Sequence, residues 1–477
     1  MTSKQESHLF VLIHGLWGTP QHMGSLEESI RNYIDPRENA LFLLPSQNSK
    51  FKTFDGIEIL GYRALLEICQ FIRKHNNSND SKKKQITKIS IIGYSLGGLV
   101  SRFVIGKMFT ECAEYFEGIE PVLFLTVASP HLGIHFFNPS SSIVRAFLNP
   151  VLTTLGSTAL GKSGRELFIA NRYSSILVQL SEGEFIDGLS KFKHRTVIAN
   201  VKNDRTVAFY TAFITNHDPF METGNTINYS FETNIPGSGY SFSLPKIVDL
   251  TQLDPSDKRI IESKPMSLNS KLKLYLLLPC LFLFFFPIVL IVNISGTLYR
   301  HFATIKYRRM IKNGDLPNEF RERIGISDRL ETYVSGQYES ILKENDNEDD
   351  DLITNDNDAD LINSGDVYSG SIDNNTTLDE INSEDQKWQE FIKKYSTIVD
   401  DENTWFERFD NLPFDNKRST ILKNLSALNW VRVPIYVKAL NAHGGIIART
   451  GIHESTQPSS VAAVQFVGQI VNYLTSH

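Results

Sequence analysis

The chain has 477 residues, 41% of them hydrophobic and 11% aromatic, which suffices for a large core and for two or three domain-sized units. Its formal net charge of -6 conceals a split, because Glu344 to Asp385 holds fifteen carboxylates and no Lys or Arg, so the remainder is basic by about nine charges. Three cysteines, Cys69, Cys112 and Cys280, lie too far apart for metal-ligand spacing and exclude a disulfide-built scaffold, which points to a reducing compartment. The mostly polar stretch Met1 to Ser7 leads straight into a strand, so no secretory signal is expected ahead of the fold.

Leu9 to Ile13 is a short apolar strand that runs into His14-Gly15-Leu16-Trp17-Gly18. A His-Gly turn after an early strand is where an oxyanion-binding loop forms, with Leu16 as the amide donor and His14 as a brace. Ala40 to Leu44 reads as a second buried strand. Thr53-Phe54-Asp55-Gly56-Ile57 carries a turn signal, and apolar spacing predicts a helix from Ile59 to Ile72.

The stretch from Ile89 to Val100 is the most informative. A β-branched run ends in Gly93-Tyr94-Ser95-Leu96-Gly97, and a helical pattern follows. This is G-x-S-x-G between a strand and a helix, the setting in which the serine is strained and exposed at the strand tip. Gly93 and Gly97 allow strand and helix to approach closely, and the Leu96 amide opens the helix, aimed at a developing oxyanion.

Pro121 to Ala128 is a further strand, ending in Ser129-Pro130-His131-Leu132-Gly133; His131 reads as a loop brace rather than as a base. Ile143 to Leu160 is a mostly apolar, helix-prone stretch, equally readable as a lid or as a packed helix. Thr196 to Val201 is a late strand, followed by Asp204, where the acid of a Ser-Asp-His order should fall; Asp218 is the second choice.

Leu274 to Tyr299 carries no charge over 26 residues and is interrupted by Pro279 and Pro287. About 20 apolar residues suffice to cross a bilayer, so membrane contact is expected. Lys264, Lys271 and Lys273 precede it, and Arg300, Lys306, Arg308, Arg309 and Lys312 follow. The acidic, Asn- and Ser-rich stretch at 343–386 reads as a disordered linker. Trp388, Phe391 and Tyr395 restart a helical stripe that suits packing. Arg432 to Leu440 is the final strand, Asn441-Ala442-His443-Gly444-Gly445 its loop, and Ser459 to Leu474 a terminal amphipathic helix. His443 is the expected base, with His453 as the alternative.

Together, His14-Gly15-Leu16, Gly93-Tyr94-Ser95-Leu96-Gly97, Ser129-Pro130-His131-Leu132-Gly133, Asp204 and His443 resemble the fungal serine esterase and lipase family of the α/β-hydrolase superfamily. The likeness is greatest to its lipid-droplet phospholipase branch, and Thr53-Phe54-Asp55-Gly56-Ile57 and Gly161-Lys162-Ser163-Gly164-Arg165-Glu166 also look like its motifs. The resemblance implies an α/β-hydrolase with a mostly parallel sheet. Residues 8–260 and 387–477 would complete one hydrolase, interrupted by the membrane-embedded segment 274–299 and the linker. It further implies hydrolysis of glycerolipid esters, with phospholipids preferred, at lipid droplets or the endoplasmic reticulum membrane. No metal, organic cofactor or nucleic acid would be involved. Hydrolysis of neutral glycerides, acyl transfer, and a catalytically silent membrane-tethered adaptor are the competing readings.

Geometry adds an expectation about topology. Ser95 and His443 flank the apolar segment in sequence, yet a base must come within about 3 Å of its nucleophile. A single crossing would separate them. Two arms of about 13 residues each reach about 20 Å, enough for a leaflet about 15 Å deep. A hairpin in one leaflet, with both basic flanks toward the cytosol, therefore fits.

Overall fold

The computed structural model describes residues 6–35, 38–76, 85–135, 160–170, 175–202, 204–220, 230–237, 244–253, 378–399, 411–439 and 441–476. The lid stretch from 143 to 159 and the apolar segment 274–299 lie outside these residues, as does nearly all of the acidic linker. Among the described residues no helix is long and apolar enough to cross a membrane.

Six strands form one sheet: β1 (Glu6–Ile13), β2 (Asn39–Leu43), β3 (Gln85–Tyr94), β4 (Glu120–Val127), β5 (His194–Asn200) and β6 (Val431–Ile435). Their order is β2-β1-β3-β4-β5-β6, and all five pairings are parallel. The sequence dictates this arrangement. Strands such as Leu9 to Ile13 and Val122 to Leu125 are apolar at successive positions, and only a sheet covered on both faces buries such a run. Parallel neighbours also need long crossovers, and these are supplied here by helices.

Two cores result. Phe10 and Leu12 face one with Ile92, Leu123, Leu125 and Val433, under α1 (Gly24–Tyr33) and the helices Leu378–Thr397 and Pro458–Ser476. Leu9, Val11 and Ile13 face the other with Ile89, Ile91 and Phe124. Covering that side are α2 (Ile57–Asn76), α3 (Leu96–Met108) and the helices Gly183–Ser190 and Asn416–Ser426. The alternation follows from the two-residue period of a strand.

The C-terminal stretch is part of the same body. β6 pairs with β5 from Thr196↔Val431 to Asn200↔Ile435. The last helix lies on α1, where Ser29 Oγ donates to the Val464 carbonyl at 2.8 Å. Trp388 stacks on Tyr473 at 5.1 Å between ring centroids, so the stripe Trp388, Phe391, Tyr395 is core packing.

Two boundaries of the C-terminal stretch differ from expectation by five residues or more. The helix carrying Trp388 starts at Leu378, inside the stretch read as linker. Its carboxylates hide the periodicity, yet Glu384 among them accepts from the Gly237 amide and from Lys387. The final strand ends at Ile435, not Leu440. Its partner β5 ends at Asn200, and the Tyr436 amide turns instead to the Lys246 carbonyl at 2.7 Å.

Between β1 and β3 the chain reverses its direction of growth across the sheet. The crevice beyond the carboxyl ends of these two strands is where open α/β sheets bind ligands.

Candidate active site

At the end of β3, Ser95 adopts φ 55 and ψ -127 before α3 begins at Leu96. A positive φ at a residue with a Cβ costs on the order of 1–3 kcal/mol and persists only where surroundings over-determine it. Here the Ser95 amide donates to the Val127 carbonyl at 3.0 Å, and its carbonyl accepts from Gly98 at 3.1 Å. A Cβ on Gly97 would stand 2.0 Å from the Ile13 carbonyl oxygen, and one on Gly93 would stand 2.5 Å from Gly98 Cα. Only glycine at both positions lets the elbow close on β1.

The turn after β1 lies directly against the serine. A Cβ on Gly15 would reach Ser95 Cβ at 2.7 Å and Oγ at 3.2 Å. His14 is buried and its Nδ1 donates to the Gly15 carbonyl at 3.0 Å. Burial pushes its pKa down to about 4, so the ring braces the loop in its neutral form. Trp17, at φ 56, donates its amide to Thr53 Oγ1 at 2.9 Å. The Gly18 amide donates to the Gly15 carbonyl, and the Leu16 amide has no acceptor among the described residues. The Leu96 amide, first in α3, has no turn before it to accept from it. Leu16 directly follows Gly15, which rests against Ser95, and Leu96 directly follows Ser95, so both amides lie next to the serine in the chain or across the turn.

Two later loops complete the site. Asn441 Oδ1 accepts from the Gly444 amide and shapes the turn that presents His443 after β6. With its proton on Nδ1, the His443 ring donates to Asp204 Oδ2 at 2.8 Å, and Nε2 accepts from Ser95 Oγ at 2.9 Å. Asp204 Oδ1 accepts from the amides of Thr206 at 3.0 Å and Val207 at 2.8 Å and from the Thr206 hydroxyl at 3.1 Å. Burial alone would raise the Asp204 pKa; the His443 imidazole and the two amides outweigh it and hold the carboxyl below its ordinary range. A carboxylate, an imidazole and a hydroxyl in line at hydrogen-bond distance can move a proton off the hydroxyl.

Residues 3–217 match the putative serine esterase family (DUF676). The chain is also 33% identical over 219 residues to the putative lipase ROG1 of Saccharomyces cerevisiae, covering 44% of this chain and 29% of that protein. A second putative lipase of the same yeast is 30% identical over 213 residues, covering 44% of this chain and 30% of its own. The chain therefore spans less than a third of the length of these relatives. A solved structure of a lipase-esterase related protein from Clostridium acetobutylicum covers 44% of this chain and 81% of its own. Its 16% identity and TM-score of 0.23 are too slight to bear on fold or function.

The matched residues 3–217 include Ser95 and Asp204, whereas His443 comes from beyond them. Asp218, the second choice for the acid, accepts from the Phe220 amide at 3.1 Å. His453, the other candidate base, is exposed and bonds the Thr450 carbonyl at 2.9 Å, within its own loop. His131 is fully buried with Nε2 on Thr126 Oγ1 at 2.8 Å, and burial lowers its pKa well below the ordinary value. It braces the loop after β4. Among the described residues no cluster of His, Cys, Asp or Glu has the makings of a metal site.

Sequence reasoning missed three contacts. Asn200, at the tip of β5, donates to Asp204 Oδ2 and to the Ala442 carbonyl, both at 3.2 Å, and so ties the acid loop to the base loop. The Tyr94 hydroxyl, inside the elbow motif, donates to the His443 carbonyl at 2.9 Å. Thr53 was readable only as part of a turn signal. It is held in place by Ser163, whose hydroxyl donates to the Thr53 carbonyl at 2.6 Å and accepts from the Gly56 amide at 3.0 Å. Glu166 accepts from the Ile57 amide at 2.7 Å. The two motifs at 53–57 and 161–166 thus clasp each other, and Thr53 ties them to the turn after β1.

Proposed function

We propose that this chain is a serine lipase that cleaves acyl ester bonds of glycerolipids, phospholipids foremost, through an acyl-enzyme. The observation that carries the reading is the unbroken line from Asp204 through His443 to Ser95 Oγ, at 2.8 and 2.9 Å. A serine hydroxyl is a weak nucleophile at neutral pH. His443 takes its proton as Oγ attacks the ester carbonyl, then returns it to the departing alcohol. Asp204 fixes the imidazole tautomer and stabilises the cation that forms. The Leu16 and Leu96 amides meet the developing oxyanion, each worth about 3 kcal/mol of transition-state stabilisation. Water, activated by the same imidazole, then releases the fatty acid.

The substrate class is supported by the lipase names of the relatives and by the uncharged stretch Leu274 to Tyr299. In this reading that stretch is a hairpin in one leaflet of a lipid droplet or of the endoplasmic reticulum membrane, and the site faces the cytosol. A fluorophosphonate probe should label the wild type and spare Ser95→Ala. Purified protein given defined phospholipids and neutral glycerides should release free fatty acid, most rapidly from phospholipids. Ester hydrolysis by a folded Ser95→Ala protein would defeat the mechanism. Transfer of the acyl group to an added alcohol in preference to water would replace hydrolysis with acyl transfer. Protease accessibility of residues 1–270 and 400–477 from opposite sides of a membrane would defeat the hairpin.

A further inference from the structure

Large exposed apolar side chains are few among the described residues: Trp17 at 45%, Phe51 at 52% and Leu244 at 59%. Two of the three form one cluster. The Trp17 and Phe51 rings meet edge to face at 4.3 Å between centroids, and the less exposed Phe54 lies 5.6 Å from Trp17 and 6.0 Å from Phe51. Trp17 follows Leu16 directly, so the aromatic cluster borders the turn that rests on Ser95.

The cluster is built, and the backbone under it is strained. Trp17 and Lys50 have φ of 56 and 55, conformations that residues with a Cβ adopt at a cost. The two segments are joined by the Lys50 amide donating to the Gly18 carbonyl at 2.8 Å and the Trp17 amide donating to Thr53 Oγ1 at 2.9 Å. Arg449 Nη2 reaches the Trp17 carbonyl at 3.4 Å. The Ser163 and Glu166 clasp holds the Phe51 segment from behind. This much fixed backbone keeps two aromatic rings facing water, where burial elsewhere would be favourable.

Charge distinguishes what would cover them. Lys50 is exposed and Lys52 half-buried, in the same short helical turn Lys50–Phe54 as Phe51. The neighbouring carboxylates are engaged: Asp55 pairs with buried Arg63 at 2.7 Å, and Glu67 accepts from the Ser46 and Gln47 amides, both at 2.9 Å. Aromatic rings beside lysines match the boundary between acyl chains and anionic headgroups, where Trp is enriched and basic side chains meet phosphates.

We infer that Trp17 and Phe51, with Lys50 and Lys52, form a docking edge that seats the mouth of the site on a lipid leaflet bearing anionic headgroups. The inference rests on the reading of Ser95 as the nucleophile of a lipid hydrolase. Seating this edge in the leaflet brings the oxyanion turn to the depth of the ester bonds.

The test uses the full chain as Ser95→Ala, so that lipid stays intact, with phosphatidylcholine vesicles with or without phosphatidylserine, their acyl chains brominated. Bromine quenches indole fluorescence only at contact range. Trp388 and Trp430 are buried, and comparison with Trp17→Phe in the same background isolates the Trp17 signal. The expected result is a quenched component that disappears in Trp17→Phe and is larger with phosphatidylserine. Each of Lys50→Gln and Lys52→Gln should weaken that dependence about fivefold. In the catalytically intact chain, Phe51→Ser should raise the apparent KM for vesicular phospholipid about tenfold, the effect of returning half a phenylalanine side chain to water. Its kcat on a soluble short-chain ester should not change. Equal quenching with and without Trp17 overturns the docking edge, whatever the activity. Equal quenching by neutral and anionic vesicles overturns the role of the lysines. An inactive wild type whose Trp17 is still quenched overturns the hydrolase reading and leaves the edge standing.

Discussion

Replacing Asp204 with Asn tests the site through its hydrogen bonds. The substitution is nearly isosteric but turns one acceptor oxygen into a donor. The Oδ1 position faces the fixed backbone amides of Thr206 and Val207 as well as the Thr206 hydroxyl. An NH2 there would oppose two donors that cannot turn away. The Oδ2 position faces the Asn200 side-chain amide, which can flip, and His443 Nδ1. The new amide nitrogen must therefore point at His443. Nδ1 then has to accept, its proton moves to Nε2, and Nε2 can no longer take a proton from Ser95 Oγ at 2.9 Å. The fold should survive, while kcat on a soluble short-chain ester should fall about 10⁴-fold, equivalent to about 5 kcal/mol of transition-state stabilisation. Thermal unfolding and probe labelling would accompany the kinetics. A folded Asp204→Asn protein within about tenfold of wild-type kcat would show that Asp204 does not set the tautomer.

The same geometry makes further outcomes measurable. His443→Ala should abolish probe labelling, whereas His453→Ala, whose ring bonds the Thr450 carbonyl, should retain it; the reverse pattern would move the base. Thr53→Val leaves the Trp17 amide without its acceptor at a cost of about 1–3 kcal/mol, so kcat should drop about tenfold or more, and Thr53→Ser should restore it. Gly97→Ala drives a Cβ to 2.0 Å from the Ile13 carbonyl oxygen and 2.7 Å from that of His14, both backbone, and should cost about 3 kcal/mol or more in denaturant unfolding. Because the folded pKa of Asp204 lies below its unfolded value, its contribution to stability is complete above the ordinary carboxylate range. That contribution is lost as pH falls through the folded value. Urea unfolding of Asp204→Asn should lack this part of the acid dependence.

What could be read from the sequence was local in origin. The β-branched run into Gly93-Tyr94-Ser95-Leu96-Gly97 announces a strand, a strained turn and a helix within twelve residues, and β3, Ser95 and α3 occupy those positions. Asp204 and His443 were chosen because each follows a late strand, and the sheet order sets those strands side by side. What could not be read depends on contacts between distant segments. Nothing in Thr53-Phe54-Asp55-Gly56-Ile57 says that the threonine hydroxyl will meet the Trp17 amide, 36 residues earlier. Nothing at Asn200 signals that its amide will bridge Asp204 and Ala442. The end of β6 is hidden in the sequence because Tyr436 and Val437 look like strand, and only the end of β5 stops the pairing.

The assembly of this site constrains the residues that lie outside the described structure. β5 and β6 are hydrogen-bonded neighbours although more than two hundred residues separate them. On the near side of the gap, Glu232 accepts from the Tyr395 hydroxyl at 2.6 Å, and Asp249 pairs with Lys394 at 3.2 Å. Both contacts reach across to the helix that begins on the far side. The chain thus leaves at Leu253 and is back by Leu378 on one and the same folded body. Closing a loop of more than a hundred residues costs only about 4 kcal/mol, because the entropy grows with the logarithm of length. The strand pairing and buried aromatic contacts at its ends offset that readily. A segment within such an insertion can enter a lipid leaflet only if it returns to the side from which it came. One uninterrupted crossing by Leu274 to Tyr299 would put Ser95 and His443 on opposite faces, and their 2.9 Å contact could not form.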